Sequence, residues 1–308
     1  MKKYFLKIAG FAFLLFALCC TSRKEDLKVS HFVTNQRELT GVITISDYSD
    51  SLKIMQITDA HISIADTNES DLMKYGDRMH KAYMVPRKHY LQEFYKTTFE
   101  YLDDLLIKAK NEDVDLLLLT GDIVNFPSAQ SVKYVFDRLE ETNIPWLYIS
   151  GNHDWDYEGM PGNPDSLRRA WMEKSLAPLY RGHNPLYYSE IINGINFVGI
   201  DNSTYKINDE QVQFFEEQLS GDEPIILISH IPYSLSKNPI QPGTIALVDL
   251  VLSNSDKIIA IFTGHTHRTS FYFTGNLCQY TSLPAFQGGF FIVNVKSEQP
   301  VNIKADGL

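Results

Sequence analysis

Cysteine is nearly absent. The 308 residues hold three, two of them adjacent at Cys19-Cys20 and the third at Cys278. A disulfide-rich scaffold needs several spaced cysteines, so that class is excluded. Positive charge is short as well: 28 Lys and Arg face 38 Asp and Glu, for a formal net charge of -10. An acidic chain with no long basic stripe lacks a nucleic-acid-binding surface, because phosphate backbones demand dense Lys and Arg. Glycine and proline, at 17 and 13, are too few for a collagen-like chain. Past the N-terminus no apolar run approaches the roughly 20 residues that span a bilayer. What is present is ordinary for a globular protein: 44% hydrophobic residues, enough for one large core or two modest ones.

The first twenty residues read as an address. Lys2, Lys3 and Lys7 form a charged start, Ile8 to Leu18 an apolar run, and Cys19-Cys20 follows. About eleven apolar residues fit a secretory core and not a membrane span. The segment resembles a bacterial lipoprotein signal, in which a Cys after small residues is lipidated and becomes the mature N-terminus. Cys20 has Ala17 at -3 and the small Cys19 at -1, whereas Cys19 would have bulky Leu18 there. An ordinary cleaved signal and a retained anchor are the alternatives. The expected organisation is a signal peptide over 1–19, a tether and N-terminal extension over 20–50 that opens with polar Thr21–Asp26, and one domain over 51–308. The chain is expected to be exported and lipid-anchored through Cys20 to a bacterial envelope membrane, on its periplasmic side or at the cell surface. Loss of Lys2, Lys3 and Lys7 would take the formal charge from -10 to -13.

Beyond residue 50, short apolar runs alternate with amphipathic stretches. Leu52–Thr58, Leu116–Thr120, Trp146–Ser150, Ile195–Ile200, Ile225–Ser229 and Ile258–Thr263 read as buried strands. Tyr90–Lys110, Ser128–Glu141, Asp209–Leu219 and Thr244–Leu252 have helical spacing. After residue 268 the pattern turns to strand–turn–strand, over Phe271–Phe273, Gln279–Ser282 and Phe290–Val295. The expected class is α/β with antiparallel strands late in the chain.

The polar residues are sorted along this pattern. Five of the apolar strands end in Asp59-Ala60-His61, Gly121-Asp122, Gly151-Asn152-His153-Asp154, His230 and Gly264-His265-Thr266-His267. Five of the nine histidines fall in this set. Ligand sites of open α/β sheets lie just outside the C-terminal strand edge, so these ends are candidate metal-ligating positions. Asp59 and His61 are two apart and can face one ion from a strand end; His265 and His267 repeat the spacing. The glycines allow sharp turns or close approach. Imidazole and carboxylate without thiolate suit Zn, Mn, Fe or Ni.

In order and type, these motifs resemble the calcineurin-like metallophosphoesterase superfamily: Asp-x-His, Gly-Asp, Gly-Asn-His-Asp/Glu, a lone His, then Gly-His-x-His. The likeness runs from about Leu52 to Pro284, within a metallophosphoesterase domain over 51–308. It implies a four-layer α/β/β/α sandwich, two mixed sheets flanked by helices, and a centre of two divalent or mixed-valence metal ions. Carried over, Asp59, His61 and His267 would bind one ion, Asn152, His230 and His265 the other, and Asp122 would bridge them. A metal-bridging hydroxide would attack phosphorus, with His153 assisting the leaving group and Asp154 orienting the His153 imidazole. The implied substrate is a phosphorylated small molecule or a phosphodiester. A non-catalytic surface lipoprotein using the scaffold for binding is the alternative, and the intact ligands and His153 weigh against it. Asn125 stands where purple acid phosphatases carry Tyr, and Trp155 where the serine/threonine phosphatase branch carries Arg, so neither branch is expected.

Two regions are candidates for shaping substrate choice. Lys74, Arg78, Lys81, Arg87 and Lys88 gather near Asp59 and His61, as an attractor of anions or as a charged helix face. Trp155, Tyr157, Met160, Trp171 and Tyr180 follow the Gly-Asn-His-Asp turn, as a leaving-group pocket or as cover for the core. Arg268 is read as a solvated arginine, with a phosphate contact as the alternative.

Overall fold

The computed structural model describes residues 27–33, 39–65, 68, 73–125, 128–155, 161–235 and 242–297. The expected signal peptide, Cys20 and the Thr21–Asp26 tether lie outside these residues. Among the described residues no helix is long and apolar enough to cross a membrane.

The chain opens with β1 (Val29–Val33), β2 (Thr40–Ile45) and β3 (Ser51–Ile57), then α1 (Met73–Tyr83) and a short hairpin of β4 (Arg87–Lys88) and β5 (Tyr95–Lys96). Next come α2 (Thr98–Asn111), β6 (Leu116–Thr120), α3 (Ala129–Glu140) and β7 (Trp146–Ile149). A π-helical turn over Met172–Leu176 joins α4 (Pro164–Trp171) to α5 (Ala177–Tyr180). The second half holds β8 (Tyr187–Ile192), β9 (Ile195–Ile200), α6 (Asp209–Gln218), β10 (Ile225–Ile228), α7 (Pro242–Ser253) and β11 (Ile258–Thr263). It closes with β12 (Ser270–Thr274), β13 (Leu277–Thr281) and β14 (Phe291–Ser297).

These strands form two six-stranded mixed sheets, ordered β1-β2-β14-β3-β6-β7 and β12-β13-β11-β10-β9-β8. Strands β3, β6 and β7 are mutually parallel, and so are β9, β10, β11 and β13. The continuous apolar runs form strands whose two faces are both covered, at interior positions of the sheets except for β7 at one edge. Alternation along β10 shows the layering: Ile226 and Ile228 face a core shared with the first sheet, α2 and α3, while Ile225 and Leu227 face one built with α6 and α7. The four layers are therefore helices, sheet, sheet, helices, as the family resemblance implied.

The expected strands stand in place within a residue or two. Helix α2 begins at Thr98 and not at Tyr90, because the β4–β5 hairpin intervenes and Thr97 forms a capping box with Glu100. The domain was expected to begin at residue 51. Strands β1 and β2 lie inside the first sheet, with β2 parallel to β14, so part of the segment read as an extension belongs to the fold.

Candidate metal centre

Both sheets bring the C-terminal ends of their parallel strands to one rim. β3, β6 and β7 supply Asp59, His61, Asp122 and Asn152 from the first sheet, and β10 and β11 supply His230, His265 and His267 from the second. Asp59, His61, Asp122, His265 and His267 all have left-handed backbones, with φ between +52° and +68°. Such angles are uncommon outside glycine, and clusters of them mark sites where the surrounding structure over-determines the chain. Backbone bonds tie these loops to one another. Asp59 N–H donates to Gly121 O (3.0 Å), His61 N–H to Asp122 O (2.9 Å) and Gly264 N–H to His230 O (2.8 Å). Two glycines allow the close approach. A Cβ at Gly121, whose φ is +87°, would sit 2.5 Å from His230 Nδ1, and one at Gly151 would sit 2.1 Å from Asp122 Oδ1. Beneath the rim, buried Gln56 ties the sheets by donating to Thr120 Oγ1 and Thr263 O.

Two triads result. Asp59, His61 and His267 bring ligand atoms within 4.8 Å of one another, and so do Asp122, His230 and His265. In the first, His267 Nε2 lies 3.2 Å from Asp59 Oδ1 and 3.4 Å from His61 Nε2. In the second, His230 Nε2 is 3.1 Å from Asp122 Oδ2, while His230 Nδ1 meets Thr120 O at 2.8 Å. Among the described residues Asn152 Oδ1 is buried with no hydrogen-bond partner, and buried Asp59 Oδ1, Asp122 Oδ2 and His230 Nε2 face other members of their own triads. Buried polar atoms are normally satisfied, so this orphan and the triads' donor atoms fit a pair of cations.

Electrostatics agree with that fit. Burial holds His61 down to about 4, against the pull of the Asp122 and Asp59 carboxylates, and keeps it a neutral nitrogen donor. Burial would also depress His230, but the adjacent Asp122 carboxylate overrides it and raises His230 to about 10. Asp122, although buried, is held far below the usual carboxylate range by His230. An ion entering this half competes with the His230 proton, because imidazole ligates only as the neutral ring.

His153 belongs to neither triad. Its ring meets His61 edge-on at 5.1 Å, and its backbone N–H donates to Asp122 Oδ1 at 2.7 Å. Asp154 departs from the expectation that it orients the His153 imidazole. Its Oδ2 accepts from the N–H groups of Asp122 (2.9 Å) and Gly151 (2.7 Å), and its Oδ1 from that of Val124 (2.8 Å). Fully buried, the carboxylate braces the two loops that carry Asp122 and Asn152. The one-residue step from His153 turns it into the protein and away from the cleft.

Of the basic cluster, Lys81 pairs with Asp77 and Lys88 with Glu93. Arg87 reaches the rim, its guanidinium 5.4 Å from the Tyr83 and Phe286 rings. Tyr83 stacks on His61 (4.6 Å, 18°), and Phe286 packs against His61 and His267. Trp155, Trp171 and Tyr180 are buried in the core and so cover it; Tyr157 and Met160 lie outside the described residues. Arg268 is exposed. Sequence reasoning passed over Tyr83, Phe286, Asn202 and Tyr205. Only the left-handed φ of Tyr205 singles one of them out, and no sequence pattern encodes it.

The calcineurin-like phosphoesterase model matches residues 52–269. A probable cyclic nucleotide phosphodiesterase of Fibrobacter succinogenes is 24% identical over 223 residues, covering 70% of this chain and 73% of the relative. A probable glycerophosphodiester phosphodiesterase, GpdQ, of Arcobacter nitrofigilis is 27% identical over 171 residues, covering 51% and 58%. Among solved structures, a dimetal phosphatase from Danio rerio has the same fold, with a TM-score of 0.53 at 13% identity over 77% of this chain and 88% of that one. The chain belongs to the calcineurin-like phosphoesterase family and is a metal-dependent phosphoesterase.

Proposed function

We propose that this enzyme hydrolyses phosphodiesters at a centre of two divalent cations. Asp59, His61 and His267 hold one ion, Asn152, His230 and His265 the other, and Asp122 stands between them. The observation that carries this reading is the pair of triads, with their donor atoms and the unpartnered Asn152 Oδ1 gathered on one rim. Preference for a diester rests on the relatives named as cyclic nucleotide and glycerophosphodiester phosphodiesterases.

Two cations supply Lewis-acid polarisation of the phosphoryl group and a deprotonated water near neutral pH. The chain's own residues do the rest. Asp122 concentrates negative charge between the triads, and Asp154 holds the loops of Asp122 and Asn152 in register. His153, half-exposed beside His61, is placed to pass a proton to the leaving oxygen.

The test is the metal-stripped protein reloaded with Mn²⁺ and assayed on bis-p-nitrophenyl phosphate and p-nitrophenyl phosphate. Faster turnover of the diester, with about two ions per chain by elemental analysis, is the expected result. Faster turnover of the monoester would overturn the substrate assignment, and fewer than two ions the proposed centre.

We also propose that the chain is exported and held at a bacterial envelope membrane by a lipid on Cys20, from the charged start, short apolar run and Cys of its N-terminus. Cys20→Ser should move the full-length protein from the membrane fraction to the soluble one. A variant that stays with the membrane would rule out Cys20 as the anchor.

A further inference from the structure

The loop between β9 and α6 touches both histidines that the second sheet contributes to the second triad. Asn202 Oδ1 accepts the backbone N–H groups of His230 (3.2 Å) and Ile231 (2.9 Å), and Asn202 Nδ2 donates to Ile231 O (2.7 Å). Three residues on, Tyr205 places its hydroxyl 3.0 Å from His265 Nε2, with the rings edge-on at 5.7 Å and 77°. Two features show that packing does not account for this placement. The side chain is 55% exposed, and its backbone has φ +61°, a conformation that bulky residues rarely adopt. The turn is closed by Tyr205 N–H donating to Asn202 O at 2.8 Å. A strained, exposed aromatic whose hydroxyl meets a candidate ligand points to a task at that ligand.

Resting on the two-ion reading, we propose that Tyr205 is a positioning residue for the second ion: its hydroxyl accepts the Nε2–H of His265 and fixes the tautomer that leaves Nδ1 free to ligate. A neutral imidazole carries one N–H, so a hydrogen bond that keeps it on Nε2 puts the lone pair on Nδ1. The same bond orients the ring and makes its other nitrogen more basic. His267, two residues further on, turns its Nε2 toward Asp59 and His61. The two histidines of Gly264-His265-Thr266-His267 thus serve the two halves through different nitrogens, and only the second half depends on Tyr205.

The test is Tyr205→Phe, which keeps the ring and removes the hydroxyl. Calorimetric titration of the metal-free protein with Mn²⁺ should show one of the two binding steps weakened by about 10–100-fold and the other unchanged. Thermal melting of the metal-free form should not move, because the phenol is exposed. Activity should fall at limiting Mn²⁺ and recover at excess, a shift in the metal requirement without loss of maximal rate. A second readout needs no ion: ¹⁵N shifts of His265 in the metal-free protein, assigned with His265→Asn, should show Nε2–H in the wild type and a tautomer mixture in Tyr205→Phe. Unchanged binding in the variant, equal weakening of both steps, or Nδ1–H in the wild type would overturn the role of Tyr205. A wild-type protein that takes up fewer than two ions would sink the two-ion reading, and the tautomer measurement would still decide Tyr205.

Discussion

Asp122→Asn should lower phosphodiester turnover by about 10³-fold or more and empty the centre of metal. The charge lost stabilises cation and transition state by several kcal/mol, and each ~1.4 kcal/mol is a factor of ten. The substitution isolates charge from shape. The amide keeps an oxygen for the His153 N–H that now donates to Asp122 Oδ1 at 2.7 Å, and it can present N–H to His230 Nε2, 3.1 Å from Oδ2. The metal-free fold should therefore survive with little change in melting temperature. The stabilisation that added Mn²⁺ gives the wild type, about 2.7 kcal/mol at a hundredfold excess over Kd, should disappear. Metal content, thermal melts with and without Mn²⁺, and kcat on bis-p-nitrophenyl phosphate check this together. A variant that keeps both ions and a rate within tenfold of wild type would show that Asp122 does not stand between them.

His153→Ala should cut kcat by about 10²–10⁴-fold and leave metal content intact, the range expected for a lost general acid. The structure separates these two readouts. What His153 gives Asp122 is its backbone N–H, which alanine retains, and its imidazole belongs to neither triad. Only the ring beside His61 disappears. Elemental analysis and steady-state rates on the same preparation decide the matter. Loss of an ion would reassign His153 as a ligand, and a rate within a few-fold of wild type would remove it from proton transfer.

The candidate centre was legible in the sequence because ligand-type residues directly follow buried apolar runs. Asp59, Asp122, His230 and His265 each sit within two residues of a strand's last position, and such runs are hard to read as anything but interior strands. Asp154 was not legible in the same way. A carboxylate beside a candidate catalytic histidine reads as its partner, but the turn after Gly151 spends it on three backbone N–H groups. Strands β1 and β8 escaped because these two edge strands leave most of their residues half-buried or exposed, and β2 because its buried residues alternate with half-buried ones, so none carries a continuous apolar run. The Tyr90 start assumed for α2 failed because helical periodicity cannot see a two-residue hairpin.

By itself the sequence determined the α/β class, the five loaded strand ends and the order of the motifs, since these depend on local periodicity and on which residues adjoin it. Tertiary structure alone decided how those ends divide between two sheets, and hence that each triad joins residues from both. It alone set the left-handed backbones of five candidate ligands, in loops that hydrogen bonds tie together from distant parts of the chain. It also brought Tyr83, Phe286 and Tyr205 against the histidines. Contacts of that kind depend on where separate elements meet, and sequence spacing carries no record of the meeting.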